Sequence, residues 1–234
     1  IGALMEAFNK MASRISELIE EKYKMGQEVK SAELKALQAQ INPHFLYNSL
    51  DLINCIAIKH NVPSIVTMVN SLARFYKISL SRGVDVIPIK DEISHITLYV
   101  QIQNMRFDNK IQLNLQIDEA VYSYKILKIL LQPIIENSIV HGILEKKEKC
   151  GIITVTGKLE NNTVIFTIED NGIGMTEEKI RSILSENSTG YSGNYGVKNI
   201  NDRIKLYYGN DYGLKYTSEP GKGTTVEVRI PAHI

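Results

Sequence analysis

Ile168-Glu169-Asp170-Asn171-Gly172-Ile173-Gly174-Met175 closes a stretch in which Val164, Phe166 and Ile168 recur at a period of two. That period is the signature of a half-buried strand, so the octapeptide reads as a strand end bearing an Asp and two glycines. The Asp170 carboxylate can accept a hydrogen bond from an exocyclic amine such as that of adenine, while Gly172 and Gly174 let the backbone pass close to a base. Taken alone, Asp-Asn-Gly is also a common turn. The same period of two returns at Ile111, Leu113, Leu115 and Ile117, and at Val226, Val228 and Ile230. Helical stretches near residues 125–144, 176–184 and 197–208 fall between these strands, which predicts helices layered on one face of a mixed sheet.

Three further stretches accompany the first in a fixed order. Glu136-Asn137-Ser138-Ile139-Val140-His141-Gly142 places an asparagine amid Ile134, Ile135 and Ile139. An amide buried there without a partner is costly, and its oxygen is a hard ligand suited to Mg2+, a cation that usually takes few protein ligands. A solvent-facing Asn on an amphipathic helix fits the same letters. Gly190-Tyr191-Ser192-Gly193-Asn194-Tyr195-Gly196 runs into a helix expected from about residue 197. A glycine-bearing loop feeding a helix N-terminus suits phosphate, because unpaired N–H groups and the helix dipole both favour anions. Last, Pro220-Gly221-Lys222-Gly223-Thr224-Thr225 makes a tight turn into the final strand and by itself is a hairpin.

Taken together and in order, these four stretches resemble the N, G1, G2 and G3 boxes of the Bergerat ATP-binding fold, shared by histidine kinases, gyrase, Hsp90 and MutL. The resemblance spans about residues 111–231. It implies that Asn137 holds Mg2+, that Asp170, flanked by Gly172 and Gly174, holds the adenine with Thr224 at the base edge, and that His141 also lines the nucleotide. Gly193 and Gly196 are then at the phosphates, under a lid of about residues 176–194. Asn194 departs from the pattern, standing where the second box usually has its first glycine; Asn tolerates a left-handed backbone better than most residues. Gyrase-like ATPases carry a carboxylate four residues before the Asn to activate water. Pro133 stands there in this chain, which disfavours simple hydrolysis relative to transfer.

Upstream, Gln38-Ala39-Gln40-Ile41-Asn42-Pro43-His44-Phe45-Leu46-Tyr47-Asn48-Ser49-Leu50 lies in a helical stretch expected over residues 32–59, kinked at Pro43 because proline cannot donate to the carbonyl of Ala39. Pro63 can open a second helix, apolar at Ile65, Met68, Val69, Leu72, Phe75 and Tyr76, which completes a helical hairpin. Gly83 and Pro88 bracket a short link, and a further helix is expected over residues 91–106. The His44 segment resembles the signature of YesM/LytS-type sensor histidine kinases, where this histidine is the phosphoacceptor. A neutral imidazole is a good nucleophile, and phosphoryl transfer needs positioning and charge neutralisation more than covalent help. Many histidine kinases carry Glu or Asp directly after the histidine, where this chain has Phe45. The base is then expected elsewhere, with Glu136 the candidate. Asn48, one turn beyond His44, either orients water for dephosphorylating a partner or satisfies backbone at the kink.

Composition sets the remaining bounds. With 27 Lys+Arg against 26 Asp+Glu the net charge is +1, and no basic block is interleaved with aromatics, so the footprint of a nucleic-acid binder is missing. Cys55 and Cys150 lack the close Cys or His neighbours of a zinc site and read as reduced thiols. No run of about 18 apolar residues appears. The chain opens on Ile1, which suggests an excised segment. Ile1, Leu4, Phe8, Met11, Ile15 and Leu18 keep a heptad rhythm that predicts a dimeric coiled coil, and its phase slips between Lys22 and Lys30. This opening resembles the second helix of a HAMP signalling domain, which implies an upstream transmembrane sensor.

The fold expected is therefore α+β in two domains. A coiled coil over residues 1–30 leads into a dimerisation and phosphotransfer hairpin over 31–82, four helices in the dimer. A linker and helix over 83–109 follow, then an α/β-sandwich Bergerat ATP-binding domain over 110–234. The function expected is that of the cytoplasmic portion of a bacterial membrane sensor: a homodimer that uses ATP and Mg2+ to phosphorylate His44 and passes the phosphoryl group to an aspartate of a response-regulator receiver domain. Two rivals are a nucleotide-binding scaffold without catalysis and an ATPase that opens and closes a dimer clamp.

Overall fold

The computed structural model describes residues 43–80, 85–184 and 194–233. The expected coiled coil, the approach to Pro43, Gly193 and much of the expected lid lie outside those residues. By its contacts the chain divides into two compact units, Ile1–Ser49 and Leu50–Ile234.

Helices α1 (Pro43–Lys59) and α2 (Pro63–Ser79) form the hairpin arms. Asn61 turns the chain between them at φ 54, a left-handed conformation that Asn accepts at little cost, and Pro63 preorganises the first turn of α2. Their apolar side chains are not all covered. Leu52, Ile53, Ile56, Ile65 and Met68 are exposed.

Five strands make the main sheet: β2 (Ile111–Ile117), β4 (Gly151–Glu160), β5 (Thr163–Asp170), β6 (Gly213–Glu219) and β7 (Gly223–Pro231), in the spatial order β2-β4-β5-β7-β6. The β2–β4 pair is parallel and the other three are antiparallel, so the sheet is mixed, as its sequence predicts. The β4 and β6 strands fall where the sequence reading places none. One face buries Ile153, Val155, Val164, Phe166, Ile168, Val226, Val228 and Ile230. Against it lie helices α3 (Ile89–Arg106), α4 (Gln132–Asn137) and α6 (Asn194–Tyr208). A short helix α5 (Glu177–Leu184) opens the region expected to act as lid.

The stretch expected as one helix over residues 125–144 is instead three pieces. Residues Lys125–Leu127 form strand β3, paired antiparallel with β1 (Val86–Pro88). A turn follows with Ile129 at φ 58, and only then come α4 and a wide turn of π type, Ser138–Ile143. Ile126, Leu127, Leu130, Leu131, Ile134 and Ile135 recur three and four residues apart, the helical spacing, although the chain spends the first of them on a strand and a left-handed turn. What fixes the turn comes from far along the chain: the Glu92 carboxylate on α3 accepts the N–H groups of Ile129, Leu130 and Leu131 at 2.9, 2.7 and 2.8 Å.

Helix α3 belongs to the same core as the sheet, through Ile89, Ile93, Ile96, Tyr99 and Val100. Its other contacts reach α2: the Phe75 ring stacks on His95 at 4.3 Å, and Ser79 Oγ lies 2.7 Å from His95 Nε2.

Candidate nucleotide and phosphoacceptor sites

Strand β5 ends by carrying Asp170 to the edge of the core, where the residue is only 4 % exposed. Its Oδ1 accepts the Gly172 N–H at 2.9 Å and the Thr224 N–H at 3.3 Å, and the Ser138 hydroxyl also bonds to the carboxylate. Burial pushes the Asp170 carboxyl above its ordinary value, while these three donors hold it down. The result is a dry, fixed acceptor at the floor of a site, the kind of group that reads an amine donor.

The glycines shape that floor by close approach. A Cβ on Gly172 would stand 2.5 Å from the Gly142 backbone, and one on Gly142 would stand 3.1 Å from Asp170 Oδ1. Gly174, at φ 66, would drive a Cβ into the Glu219 carbonyl, and Gly223, at φ 116, into the Asp170 carbonyl. Hydrogen bonds tie the same pieces together: Ile173 N–H to Gly142 O at 3.1 Å, Gly221 N–H to Ile173 O at 2.6 Å, and Met175 N–H to Ser218 Oγ at 2.8 Å. The 171–175 loop is thus held between the π turn on one side and the β6–β7 hairpin on the other. Thr224 pairs with Asp170 in the β5–β7 register, which brings two of the sequence candidates side by side.

Asn137 is half-buried at the last position of α4, next to an exposed Glu136; His141 is exposed on the π turn. Widened turns of this kind recur at functional sites. The Glu136 charge is felt by Tyr99 on α3, whose hydroxyl is pushed up to about 12 by burial first and by Glu136 second. Gly196 lies in the first turn of α6, which begins at Asn194 rather than at residue 197. Among the described residues no cluster of three or more His, Cys, Asp or Glu side chains is arranged to hold a metal. The Asn137 amide oxygen is a single hard donor, which suits a cation that draws most of its ligands from phosphate and water, as Mg2+ does.

His44 is exposed near the start of α1, with Nδ1 3.2 Å from Nδ2 of Asn48 one turn on. Phe45 beside it is 71 % exposed, so no carboxylate adjoins the imidazole in sequence. Four contributors to the site had no role assigned from sequence: Ser138, Gly142, Ser218 and Glu92. The first two sit inside the quoted Asn137 stretch, where a hydroxyl and a missing side chain at that spacing were the available signals. Ser218 and Glu92 carried no local signal.

The family model described as histidine kinase matches residues 32–111, and the one described as histidine kinase-, DNA gyrase B- and HSP90-like ATPase matches residues 123–234. Sensor histidine kinase YesM of Bacillus subtilis (strain 168) is 39% identical over 230 residues, covering 98% of this chain and 38% of that protein. The chain belongs to the sensor histidine kinase family. Sensor histidine kinase BtsS of Escherichia coli (strain K12) is 30% identical over 200 residues, 86% of this histidine kinase chain and 33% of BtsS. A Bacillus subtilis (strain 168) protein, YwpD, is 32% identical over 227 residues, 95% of this chain and 78% of YwpD. Among solved structures, a histidine kinase domain from the Erythrobacter litoralis EL346 blue-light activated histidine kinase overlays at a TM-score of 0.46 and 18% identity, over 85% of this chain and 90% of that one. The kinase chain spans 38% and 33% of the lengths of YesM and BtsS. No helix among its described residues is long and apolar enough to cross a membrane.

Proposed function

We propose that this chain is the catalytic portion of a two-component sensor histidine kinase: it binds ATP on the sheet, phosphorylates His44 and donates the phosphoryl group to an aspartate of a response regulator. The observation that carries the reading is Asp170, a buried carboxylate fixed by Gly172, Ser138 and Thr224, in a chain that also bears an exposed His44. Asp170 accepts from the adenine amine and Thr224 stands at the base edge. Gly172 and Gly174 keep the floor thin, Gly193 and Gly196 line the phosphates, and His141 lines the nucleotide. Asn137 holds Mg2+, which when bound neutralises phosphate charge.

In the transfer, the imidazole nitrogen bonds to the γ-phosphorus, the bond to the β-bridging oxygen breaks, and ADP leaves with that electron pair. The Asn48 amide nitrogen lies 3.2 Å from Nδ1 and, as an N–H donor, restrains the ring. Glu136 receives the proton that the phosphohistidine sheds.

The division of labour we propose is a signalling helix over residues 1–30, the phosphotransfer hairpin over 31–82, a linker and helix over 83–109, and the ATP-binding domain over 110–234. The exposed Leu52, Ile53, Ile56, Ile65 and Met68 support a homodimer through the hairpin. An upstream membrane sensor in the intact protein completes the reading.

Incubation with γ-labelled ATP and Mg2+ tests it. The expected product is an acid-labile, base-stable mark that is absent from His44→Gln. Asp170→Asn should abolish the mark by weakening ATP at least about a hundredfold while the fold survives. A wild-type chain saturated with ATP yet unlabelled in its dimeric form overturns the proposal.

A further inference from the structure

The β6–β7 hairpin holds a hydroxyl whose three hydrogen bonds are dictated by its neighbours. Ser218 Oγ lies 2.7 Å from the Gly223 carbonyl oxygen, 2.8 Å from the Met175 nitrogen and 2.9 Å from Thr224 Oγ1. A carbonyl only accepts and a backbone N–H only donates. The single Ser218 proton therefore goes to Gly223, and one Ser218 lone pair takes the Met175 N–H. That decides the third contact. Ser218 has no proton left for Thr224, so Thr224 donates to Ser218, and what Thr224 Oγ1 turns toward other partners is lone pairs alone.

Thr224 stands opposite Asp170 in the β5–β7 pairing, with its own N–H on Asp170 Oδ1 at 3.3 Å. An ionised carboxylate is acceptor-only as well. Two neighbouring groups at the floor of the site thus present acceptors, and one of them does so only because of Ser218.

We infer that Ser218 is a specificity-determining positioning residue: by taking the Thr224 proton it makes the Asp170–Thr224 edge acceptor-only, so that the site admits a purine with an exocyclic amine and rejects one with an oxo group. This rests on the nucleotide reading above and extends it. At that position an amine turns N–H donors toward such an edge, provided the edge meets the amine and not the adjoining ring nitrogen, an acceptor in adenine and an N–H in the oxo purine. An oxo group in the same place points lone pairs at lone pairs, and buried acceptors left facing an acceptor are penalised far more than a merely missing contact. Without the Ser218 oxygen, the Thr224 hydroxyl turns and donates to the oxo group.

The dissociation constants of ATP and inosine triphosphate, each with Mg2+, are measured by calorimetry on the 234-residue chain as wild type, Ser218→Ala, Thr224→Val and the double variant. Wild type should prefer ATP by about a hundredfold or more. Ser218→Ala should cut that ratio roughly tenfold, the equivalent of one hydrogen bond changing sense, mostly through tighter inosine triphosphate. In the Thr224→Val background, Ser218→Ala should leave the ratio where it was. Equal weakening of both nucleotides in Ser218→Ala, or a ratio change that persists without the Thr224 hydroxyl, overturns the inference, since a merely structural serine behaves in those ways. Ser218→Cys keeps the side-chain shape with a weak donor and acceptor; it should give an intermediate ratio, and an unchanged one overturns the inference even if the alanine variant fails to fold. A wild-type chain that binds neither nucleotide sinks the nucleotide reading, and this inference with it.

Discussion

His95 illustrates how much a single side chain at the α2–α3 contact depends on its surroundings. Fully buried, it stacks on Phe75 and bonds to Ser79 through Nε2, while its Nδ1 has no hydrogen-bond partner among the described residues. Burial, with the Lys128 charge adding to it, pushes the imidazole down to about 4. Folding thus favours the neutral ring. Its contribution is complete above the unfolded value of 6.5 and is lost as pH falls from there toward 4. By pH 5 the loss amounts to about 2 kcal/mol. Urea denaturation at pH 7 and pH 5 should show His95→Gln losing about that much less than wild type over the interval; equal losses in the two proteins would remove His95 from the account.

At this scale the sequence was informative wherever chemistry demanded a residue type. Asp170 and Thr224 stood out beside glycines and Asn137 amid isoleucines, in a set order along the chain. Ser138 and Ser218 did not, because a serine hydroxyl takes its role from the groups around it, and Asp170 for Ser138 and Met175 for Ser218 lie dozens of residues away.

Among the elements, the turn that precedes α4 is held from far along the chain. Glu92 is 0 % exposed and its two oxygens take three backbone N–H groups of residues 129–131. From the other side, the Arg203 guanidinium on α6 donates to the Lys128 carbonyl at 2.8 Å. Burial pushes the Glu92 carboxyl above its ordinary range, and the three amides, with Arg203, hold it down. Ile129 keeps a left-handed backbone that a β-branched residue adopts only under such constraint. Glu92→Ala strands three buried donors, so the chain should lose about 3 kcal/mol or more, read as a lower urea midpoint with an unchanged slope. A loss below about 1 kcal/mol would mean that water replaces the carboxylate.

The same turn explains the largest departure from the sequence reading. Ile126, Leu127, Leu130 and Leu131 are buried at the three-and-four spacing of a helix, so the letters read as helix where the chain makes a strand and a left-handed turn. The β2, β5 and β7 strands, each with one face nearer solvent, announced themselves.

On the scale of the whole molecule, the hairpin leaves Leu52, Ile53, Ile56, Ile65 and Met68 at 63, 45, 51, 42 and 41 % exposure, and exposed apolar side chains gathered on one element mark a surface that a partner covers. A second copy of the chain is the partner we propose. Placing charge on that face by Leu52→Glu with Ile56→Glu should convert the dimer to monomer in sedimentation equilibrium and abolish His44 labelling, while ATP affinity stays within about twofold. A variant pair that remains dimeric would assign the face to another partner. The α/β layering and the hairpin were legible at this scale because each repeats a period over many residues. That α3 lies in the sheet's own core was not, since Ile89, Ile93, Ile96 and Val100 are the marks of any amphipathic helix.

The widened turn at Ser138–Ile143 gives the chain an arithmetic constraint. Five residues there span what four span in an ordinary helix, as the Leu144 N–H reaching back to the Ile139 carbonyl records. Remove any one of them and the coil tightens by one step, rotating all that precedes the cut by about 100° against all that follows. Asn137 and Gly142 would then look in different directions, so a single-codon deletion in this short tract should be harsher than most substitutions within it.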